Sequence, residues 1–149
     1  MSDSFIGEHM VKFPYTVRPG ISVKTAAAMM AENRIRHLPV VNDHKVIGIV
    51  SDRDLRAYVD LDERAPVESM MTESVYCVRV GTPLEEVVKT LAKKRIGSAV
   101  VVSATREVLG IFTTTDALYL LGRMLQNSPP AGVKLWAVED ILEWDELPA

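Results

Sequence analysis

Apolar residues recur at helical spacing in two separate stretches of the chain. In each stretch they occupy positions i, i+3, i+4, i+7 and i+8, which places them on one face of an amphipathic helix. The first set is Val23, Ala26, Ala27, Met30 and Ala31, and the second is Leu84, Val87, Val88, Leu91 and Ala92. The second set lies 61 residues after the first, so the chain contains an internal repeat. Thr82, Pro83 and Glu85 predict a capping box at the start of the second helix.

Two β-prone runs and another helix follow each of these helices. In the first half, Leu38 to Val41 and Val46 to Val50 predict a hairpin, and Ser51 to Val59 predicts the helix after it. A short β-prone stretch, Tyr15 to Val17, precedes the first amphipathic helix. The second half repeats this order, with an offset that becomes 62 because its hairpin turn is one residue longer.

Each half therefore has the order strand, helix, strand, strand, helix, which is an α/β unit. A unit of about 60 residues is only marginally stable alone, because it buries a smaller part of its surface than a larger domain does. We expect the two units to pack sheet to sheet with pseudo-two-fold symmetry and to share a core. The predicted divisions are an N-terminal arm at 1–8, a first repeat at 9–60, a linker at 61–69, a second repeat at 70–125 and an acidic C-terminal extension at 126–149.

The composition is that of an ordinary soluble globular protein. Of the 149 residues, 48% are hydrophobic, and the net charge of −3 disfavours a nucleic-acid-binding surface. No apolar run approaches the ~20 residues of a membrane span, and residues 1–4 lack the features of a signal peptide. The lone Cys77 cannot form an internal disulfide. We therefore expect a cytoplasmic location with no membrane or nucleic-acid partner.

A motif of glycine, two apolar residues, a hydroxyl residue, two variable residues and aspartate occurs at the same place in both halves. It runs from Gly48 to Asp54 and from Gly110 to Asp116, where a strand gives way to a helix. Backbone N–H groups and the positive end of the helix dipole favour an anion at such a junction. The hydroxyl of Ser51 or Thr113 adds a donor, and the aspartate can accept both hydroxyls of a ribose.

The alternative for each motif is an ordinary helix N-cap with a favourable acid in its first turn. A single copy would favour that alternative, whereas two copies at equivalent positions favour a ligand site. In a ligand site we expect both aspartates to be exposed in the ligand-free protein. Replacing either by alanine should then hardly change the ligand-free melting temperature.

The paired units resemble tandem CBS domains, a regulatory pair also called the Bateman module, in which two such repeats form one disc-like body. The resemblance is carried by Met10 and Met71, by the two helical stripes, by Arg34 to Val41 with its counterpart, and above all by Gly48 to Leu55. It covers about residues 8–125 and implies a stand-alone pair. Such pairs bind AMP, ADP, ATP, S-adenosylmethionine or sometimes NAD in two clefts between the repeats.

The resemblance implies ligand contacts for particular residues of this chain. It assigns ribose binding to Asp54 and Asp116, and phosphate binding to Ser51 and Thr113. The variable positions of the motifs add Arg53 and Thr115 as candidates. Contacts to the adenine are implied for Thr16, Val17, His37, Leu38 and Pro39 in the first repeat, and for Cys77, Val78, Ser98 and Ala99 in the second.

The two motifs differ in charge. Asp52 and Arg53 stand in the first where Thr114 and Thr115 stand in the second. Asp52 would repel a phosphate and Arg53 would attract it, so the net effect depends on the directions of the side chains. We expect unequal affinities in the two clefts, with the smaller contribution from Asp54 because Asp52 lies beside it.

The sequence contains no Ser-His-Asp set, Walker loop, dinucleotide glycine fingerprint or metal-ligand spacing. We therefore expect no catalysis, no metal site and no required cofactor, with the adenosine compound acting as a regulatory ligand. The first hypothesis is a sensing module that relays ligand occupancy to an unidentified effector protein. The alternative is a protein-interaction or dimerisation subunit whose clefts are empty or vestigial.

We expect a homodimer, because the apolar surface of the helix stripes is larger than one thin sheet can bury. Beyond the repeats, Lys134 to Trp144 predicts an acidic helix with an apolar stripe and two tryptophans. This helix either packs on its own module or on the other subunit, or it docks an effector protein.

Overall fold

A computed structural model describes residues 4–127 of the chain. Its elements in chain order are β1 (Val11–Lys12), α1 (Val23–Asn33), β2 (His37–Asn42), β3 (Lys45–Ser51), α2 (Asp52–Val59), β4 (Cys77–Val78), α3 (Leu84–Lys94), β5 (Ser98–Val102), β6 (Val108–Thr113) and α4 (Thr114–Asn127). The predicted α/β fold with two tandem repeats is confirmed. None of the helices in this part of the chain has the length and apolar character needed to cross a bilayer. The predicted helix at 134–144 lies outside the described residues.

The two repeats build their sheets on the same plan. In the second repeat, β5 pairs with β6 antiparallel and with β4 parallel. In the first repeat, β2 and β3 form the antiparallel hairpin, and Val17 pairs in parallel with Val40 on one side of it. Thr72 pairs antiparallel with Ile49 on the other side. The internal repeat seen in the sequence is therefore also a repeat of sheet topology.

Each sheet pairs at one edge with the segment that leads into the other repeat's first helix or strand. β1 precedes α1 of the first repeat but pairs with β6 of the second, where Val11 faces Ile111. Thr72 precedes β4 of the second repeat but exchanges two backbone hydrogen bonds with Ile49 of the first, at 3.0 and 2.9 Å. These hydrogen bonds tie the two repeats together through their backbones.

The two short 3-10 turns that precede the repeats supply buried core residues. The first turn is Ile6–Glu8 and the second is Val67–Ser69. Ile6 is fully buried in the core of the second repeat, and Val67 is fully buried in the core of the first. The predicted arm and linker thus each contribute to the core of a repeat, and the repeat boundaries stay predictions.

The glycine that opens each motif makes room for a methionine from the segment leading into the other repeat. A Cβ on Gly48 would lie 2.4 Å from Sδ of Met71, and a Cβ on Gly110 would lie 2.4 Å from Sδ of Met10. A glycine inside a strand often marks such a close approach of another part of the chain. The motif glycines therefore serve the contact between the repeats.

A small cluster of valines joins the two sheets. Val46 of the first repeat packs with Val100 and Val102 of the second, and Cys77 lies against them. Burial raises the pKa of the Cys77 thiol, although nearby Arg106 lowers it. The cysteine is therefore a neutral, half-buried part of the apolar contact between the sheets.

The capping box predicted from Thr82 and Glu85 is wrong. Pro83 is the N-cap residue of α3, and no side chain caps this helix. The backbone N–H of Leu84, the first helical residue, donates instead to the carbonyl of Ser4 at 2.8 Å. Backbone from the N-terminal segment thus replaces the side-chain cap, which the local sequence could not indicate.

We predict that Gly48→Ala destabilises the fold by about 1–3 kcal/mol, because the added Cβ overlaps the Met71 side chain. Chemical denaturation of the purified variants measures this loss. Gly20→Ala is the matched control, since a Cβ there meets nothing within 4 Å. The loss should shrink when Met71→Ala is already present. Equal losses in both backgrounds would contradict the assigned contact.

Candidate functional site

Each motif forms a reciprocal capping box at the start of a helix. In the first, the N–H of Ser51 donates to Oδ2 of Asp54 at 2.9 Å, and the N–H of Asp54 donates to Oγ of Ser51 at 3.2 Å. In the second, the N–H of Thr113 donates to Oδ2 of Asp116 at 2.8 Å, and the N–H of Asp116 donates to Oγ1 of Thr113 at 3.3 Å. The hydroxyl of Thr113 also donates to this Oδ2, at 3.0 Å. The motifs therefore cap their helices at both places.

The two aspartates are half-buried, so the expectation that both are exposed is wrong. The physical reason is the capping box, which holds each side chain against the start of its own helix. Capping does not exhaust the carboxylate, because an ionised carboxylate has about four lone-pair sites. The hydrogen bonds of Asp54 and Asp116 end on Oδ2. Oδ1 of each can therefore accept a hydroxyl group from a ligand.

Both helix starts open into one groove between the repeats, with a volume of about 1640 Å³. The predicted site residues that line it are His37, Ser51, Arg53, Asp54, Ser98, Thr113, Thr115 and Asp116. Sites for single small ligands usually measure roughly 300–1,000 Å³. The groove is therefore large enough to hold one ligand at each helix start.

His37 joins the two sides of this groove. It begins β2 in the first repeat, and its Nε2 lies 2.5 Å from the position that a Cβ on Gly97 of the second repeat would occupy. Burial lowers the pKa of His37 below its ordinary value of 6.5, although Asp52, Asp54 and Asp116 raise it. The imidazole is therefore mainly neutral at pH 7 and offers one donor and one acceptor.

The model of one protein family, the CBS domain, matches the chain twice, over residues 6–61 and 67–123. These two matches coincide with the two repeats and together cover most of the chain. The chain belongs to the CBS domain family. The tandem CBS pair inferred from the sequence is thereby confirmed.

Solved CBS pairs have the same fold as this chain. The CBS domain pair of protein MJ0100, in complex with 5′-methylthioadenosine and S-adenosyl-L-methionine, has a TM-score of 0.77 and 28% identity to this chain. That similarity covers 83% of this chain and 99% of the MJ0100 chain. CBSX2 in complex with AMP has a TM-score of 0.71 and 27% identity, over 80% of this chain and 97% of CBSX2.

Some curated relatives of this CBS pair are much longer enzymes. Homoserine O-acetyltransferase from Methanohalobium evestigatum is 30% identical over 122 residues, which are 81% of this chain and 25% of the enzyme. L-aspartate semialdehyde sulfurtransferase from Methanocaldococcus jannaschii is 29% identical over 120 residues, 23% of its length. The chain thus spans about a quarter of these relatives, and tandem CBS domains are typically regulatory.

The other residues with implied adenine contacts lie outside the groove lining of this CBS pair. Val17, Leu38, Pro39, Val78 and Ala99 are buried, Cys77 packs between the sheets, and Thr16 is exposed outside the groove. Since the side chains of the buried strand residues pack in the core, a ligand could meet only their backbone groups. The assignment of the site residues stays a prediction.

The first motif shows where its charged side chains point. Asp52 forms an ion pair with Arg56 one turn later, with Nη2 of the arginine 3.0 Å from Oδ2. Arg53 is exposed and lines the groove. Because Arg56 compensates the charge of Asp52, the reason for expecting the smaller contribution from Asp54 no longer holds.

Two arginines that line the groove were missed as site candidates. Arg34 and Arg95 lie 61 residues apart and end α1 and α3 in the left-handed conformation, each with φ of 54°. Glycine is the usual residue at such a helix end. The signal was present in the sequence, because aligning the repeats places an arginine at the end of both helices.

We predict that Asp54→Ala and Asp116→Ala each lower the stability of the ligand-free CBS pair by about 0.3–1 kcal/mol, because each removes the carboxylate half of a capping box and an acid from the first turn of a helix. Chemical denaturation without nucleotide measures this effect. Asp60→Ala is the control, since Asp60 is exposed at the opposite end of α2 and should tolerate the change. Unchanged stability of both motif variants would contradict the capping geometry.

Proposed function

We propose that this CBS pair is a regulatory module that binds an adenosine-containing ligand in the clefts between its repeats and relays occupancy to an effector protein. The candidate ligands are AMP, ADP, ATP and S-adenosylmethionine. One observation carries the proposal. Two equivalent helix starts, each with a hydroxyl and a carboxylate, open into a single groove between the repeats.

The groups at each helix start match the parts of a nucleotide. The N–H groups of Arg53 and Thr115 take no part in the capping boxes, and the hydroxyl of Ser51 only accepts in its box, so these groups favour a phosphate. The hydroxyl of Thr113 already donates to Asp116. The free oxygen of Asp54 or Asp116 favours the hydroxyls of a ribose. The neutral imidazole of His37, which reaches across to the second repeat, supplies a donor and an acceptor for the polar edge of a base.

Two related structures support a ligand of this class. The MJ0100 pair was solved with 5′-methylthioadenosine and S-adenosyl-L-methionine, and CBSX2 was solved with AMP. The adenosine group is common to the three compounds, whereas the group on the 5′ carbon differs. These relatives therefore favour an adenosine ligand for this chain without selecting among the candidates.

The second candidate function is a protein-interaction or dimerisation subunit with vestigial clefts. It is favoured by α4, in which no residue is buried, and where Leu118 and Met124 are 67% and 65% exposed. We propose that this apolar face pairs with a second copy of the chain. Light scattering at micromolar concentration should then give twice the chain mass of 16.5 kDa, and a monomeric mass would contradict the dimer.

The proposal also includes a cytoplasmic location and no catalysis by this chain. The similarity to enzymes covers only about a quarter of their length, which supports a regulatory role for the matching part. Purified protein incubated with ATP or AMP should leave the nucleotide intact, as chromatography of the mixture can show.

We predict that an adenine nucleotide at ~100 times its dissociation constant stabilises the fold by about 2.7 kcal/mol. For a chain of this size, the melting temperature should rise by about 5–10 °C. Asp116→Ala should remove a large part of this rise, because the ribose hydroxyls lose their acceptor. Asp54→Ala should have a comparable effect at the other helix start, and the double variant should lose nearly all of the rise.

The rise is measured for each variant against its own ligand-free melting temperature, since the loss of a cap lowers that temperature. Asp60→Ala removes one negative charge, as each motif variant does, but Asp60 lies outside the groove. This control should therefore keep the full rise in melting temperature. If no adenosine compound raises the melting temperature of the parent protein, the interaction subunit becomes the better account.

A further inference from the structure

The groove is more basic than the chain that forms it. Six basic side chains line the groove, against three acidic ones, although the whole chain carries a net charge of −3. The basic residues are Lys12, Arg34, Arg36, Arg53, Arg56 and Arg95, and the acidic residues are Asp52, Asp54 and Asp116. When charges of one sign predominate in a cleft, they raise the local concentration of ligands of the opposite sign.

Hydrogen bonds and ion pairs engage the acids of the groove and leave most of its arginines available. Asp52 is paired with Arg56. Asp54 and Asp116 accept N–H groups of their own capping boxes. In residues 4–127, the other four arginines of the groove take part in no ion pair, and all four are exposed: Arg34, Arg36, Arg53 and Arg95.

Three of these four arginines belong to the first repeat. At the equivalent positions of the second repeat, Arg34 is matched by Arg95, but Arg36 by Gly97 and Arg53 by Thr115. The carbonyl of Arg36 accepts the N–H of Asp52 at 2.9 Å, so Arg36 is fixed beside the start of α2, where Arg53 lies. The basic surplus is therefore concentrated at the first helix start.

An exposed arginine usually has no role beyond its contact with water. The position of these four arginines and the charge balance of the groove are what indicate a ligand-binding role. Planar guanidinium groups bind phosphate oxygens through two parallel hydrogen bonds, which makes arginine suited to phosphates. Three unpaired guanidinium groups would repel the net positive charge of S-adenosylmethionine, whose sulfonium and ammonium groups outweigh its one carboxylate, and would gain nothing from the uncharged thioether of 5′-methylthioadenosine. The charge of the groove therefore discriminates among the adenosine compounds that related CBS pairs bind.

We propose that the groove selects phosphate-bearing adenosine ligands, such as AMP and ADP, over adenosine, 5′-methylthioadenosine and S-adenosylmethionine. Arg36 and Arg53 contact the phosphate at the first helix start, and Arg34 extends the basic surface. This inference rests on the proposed function, because it names the ligand class of the same groove.

The test is a calorimetric titration of the full chain with AMP, ADP, adenosine, 5′-methylthioadenosine and S-adenosylmethionine. AMP should bind at least about tenfold more tightly than adenosine, as hydrogen bonds to charged groups allow. This advantage should decrease as the salt concentration rises, because salt screens exposed charges. In the double variant Arg36→Gln/Arg53→Gln, the ratio of the adenosine to the AMP dissociation constant should fall towards one.

The matched control is Arg64→Gln, which removes one positive charge from an exposed position outside the groove and should keep most of that ratio. The selectivity proposal is overturned if adenosine, 5′-methylthioadenosine or S-adenosylmethionine binds as tightly as AMP. It is also overturned if the double variant weakens all five compounds equally. In these two cases the sensing function stands, whereas binding of none of the five compounds would remove both proposals.

Discussion

The structure depends on the exchange of chain segments between the two repeats. The segment before α1 places β1, Ile6 and Met10 against the second repeat, and the segment before β4 pairs Thr72 with the first. A single repeat would therefore lack a backbone partner at one edge of its sheet. With about 60 residues it would also bury only a marginal amount of apolar surface. The CBS pair, and not the single repeat, is the folding unit.

The same exchange determines what the groove can do. Each motif begins with a glycine packed under a methionine from the other segment and ends with an aspartate that caps a helix. The strand and the helix that meet at each motif are thus fixed before any ligand arrives. A carboxylate held in place loses little side-chain entropy on binding. Capping and ligand binding are therefore compatible uses of Asp54 and Asp116.

Residue patterns predicted the fold well because each element carried its own signal. The apolar stripes that begin at Val23 and Leu84 predicted two helices, and the 61-residue offset between them predicted the duplication. The predictions that failed needed geometry that residue patterns do not give. The cap of α3 comes from the carbonyl of Ser4, which is distant in sequence. The half-burial of Asp54 and Asp116 comes from the capping boxes at the start of their own helices. The ion pair of Asp52 with Arg56 could not be predicted, because the periodicity of the sequence does not show where a side chain points.

Adenosine binding at the two capping boxes would be visible in a crystal structure of the protein grown with AMP. We expect ribose hydroxyls within hydrogen-bond distance, about 2.5–3.0 Å, of the carboxylate of Asp54 or Asp116. We also expect the phosphate near the hydroxyl of Ser51 or Thr113. AMP bound outside the groove, or an empty groove at saturating AMP, would show that the capping boxes are not the ligand site.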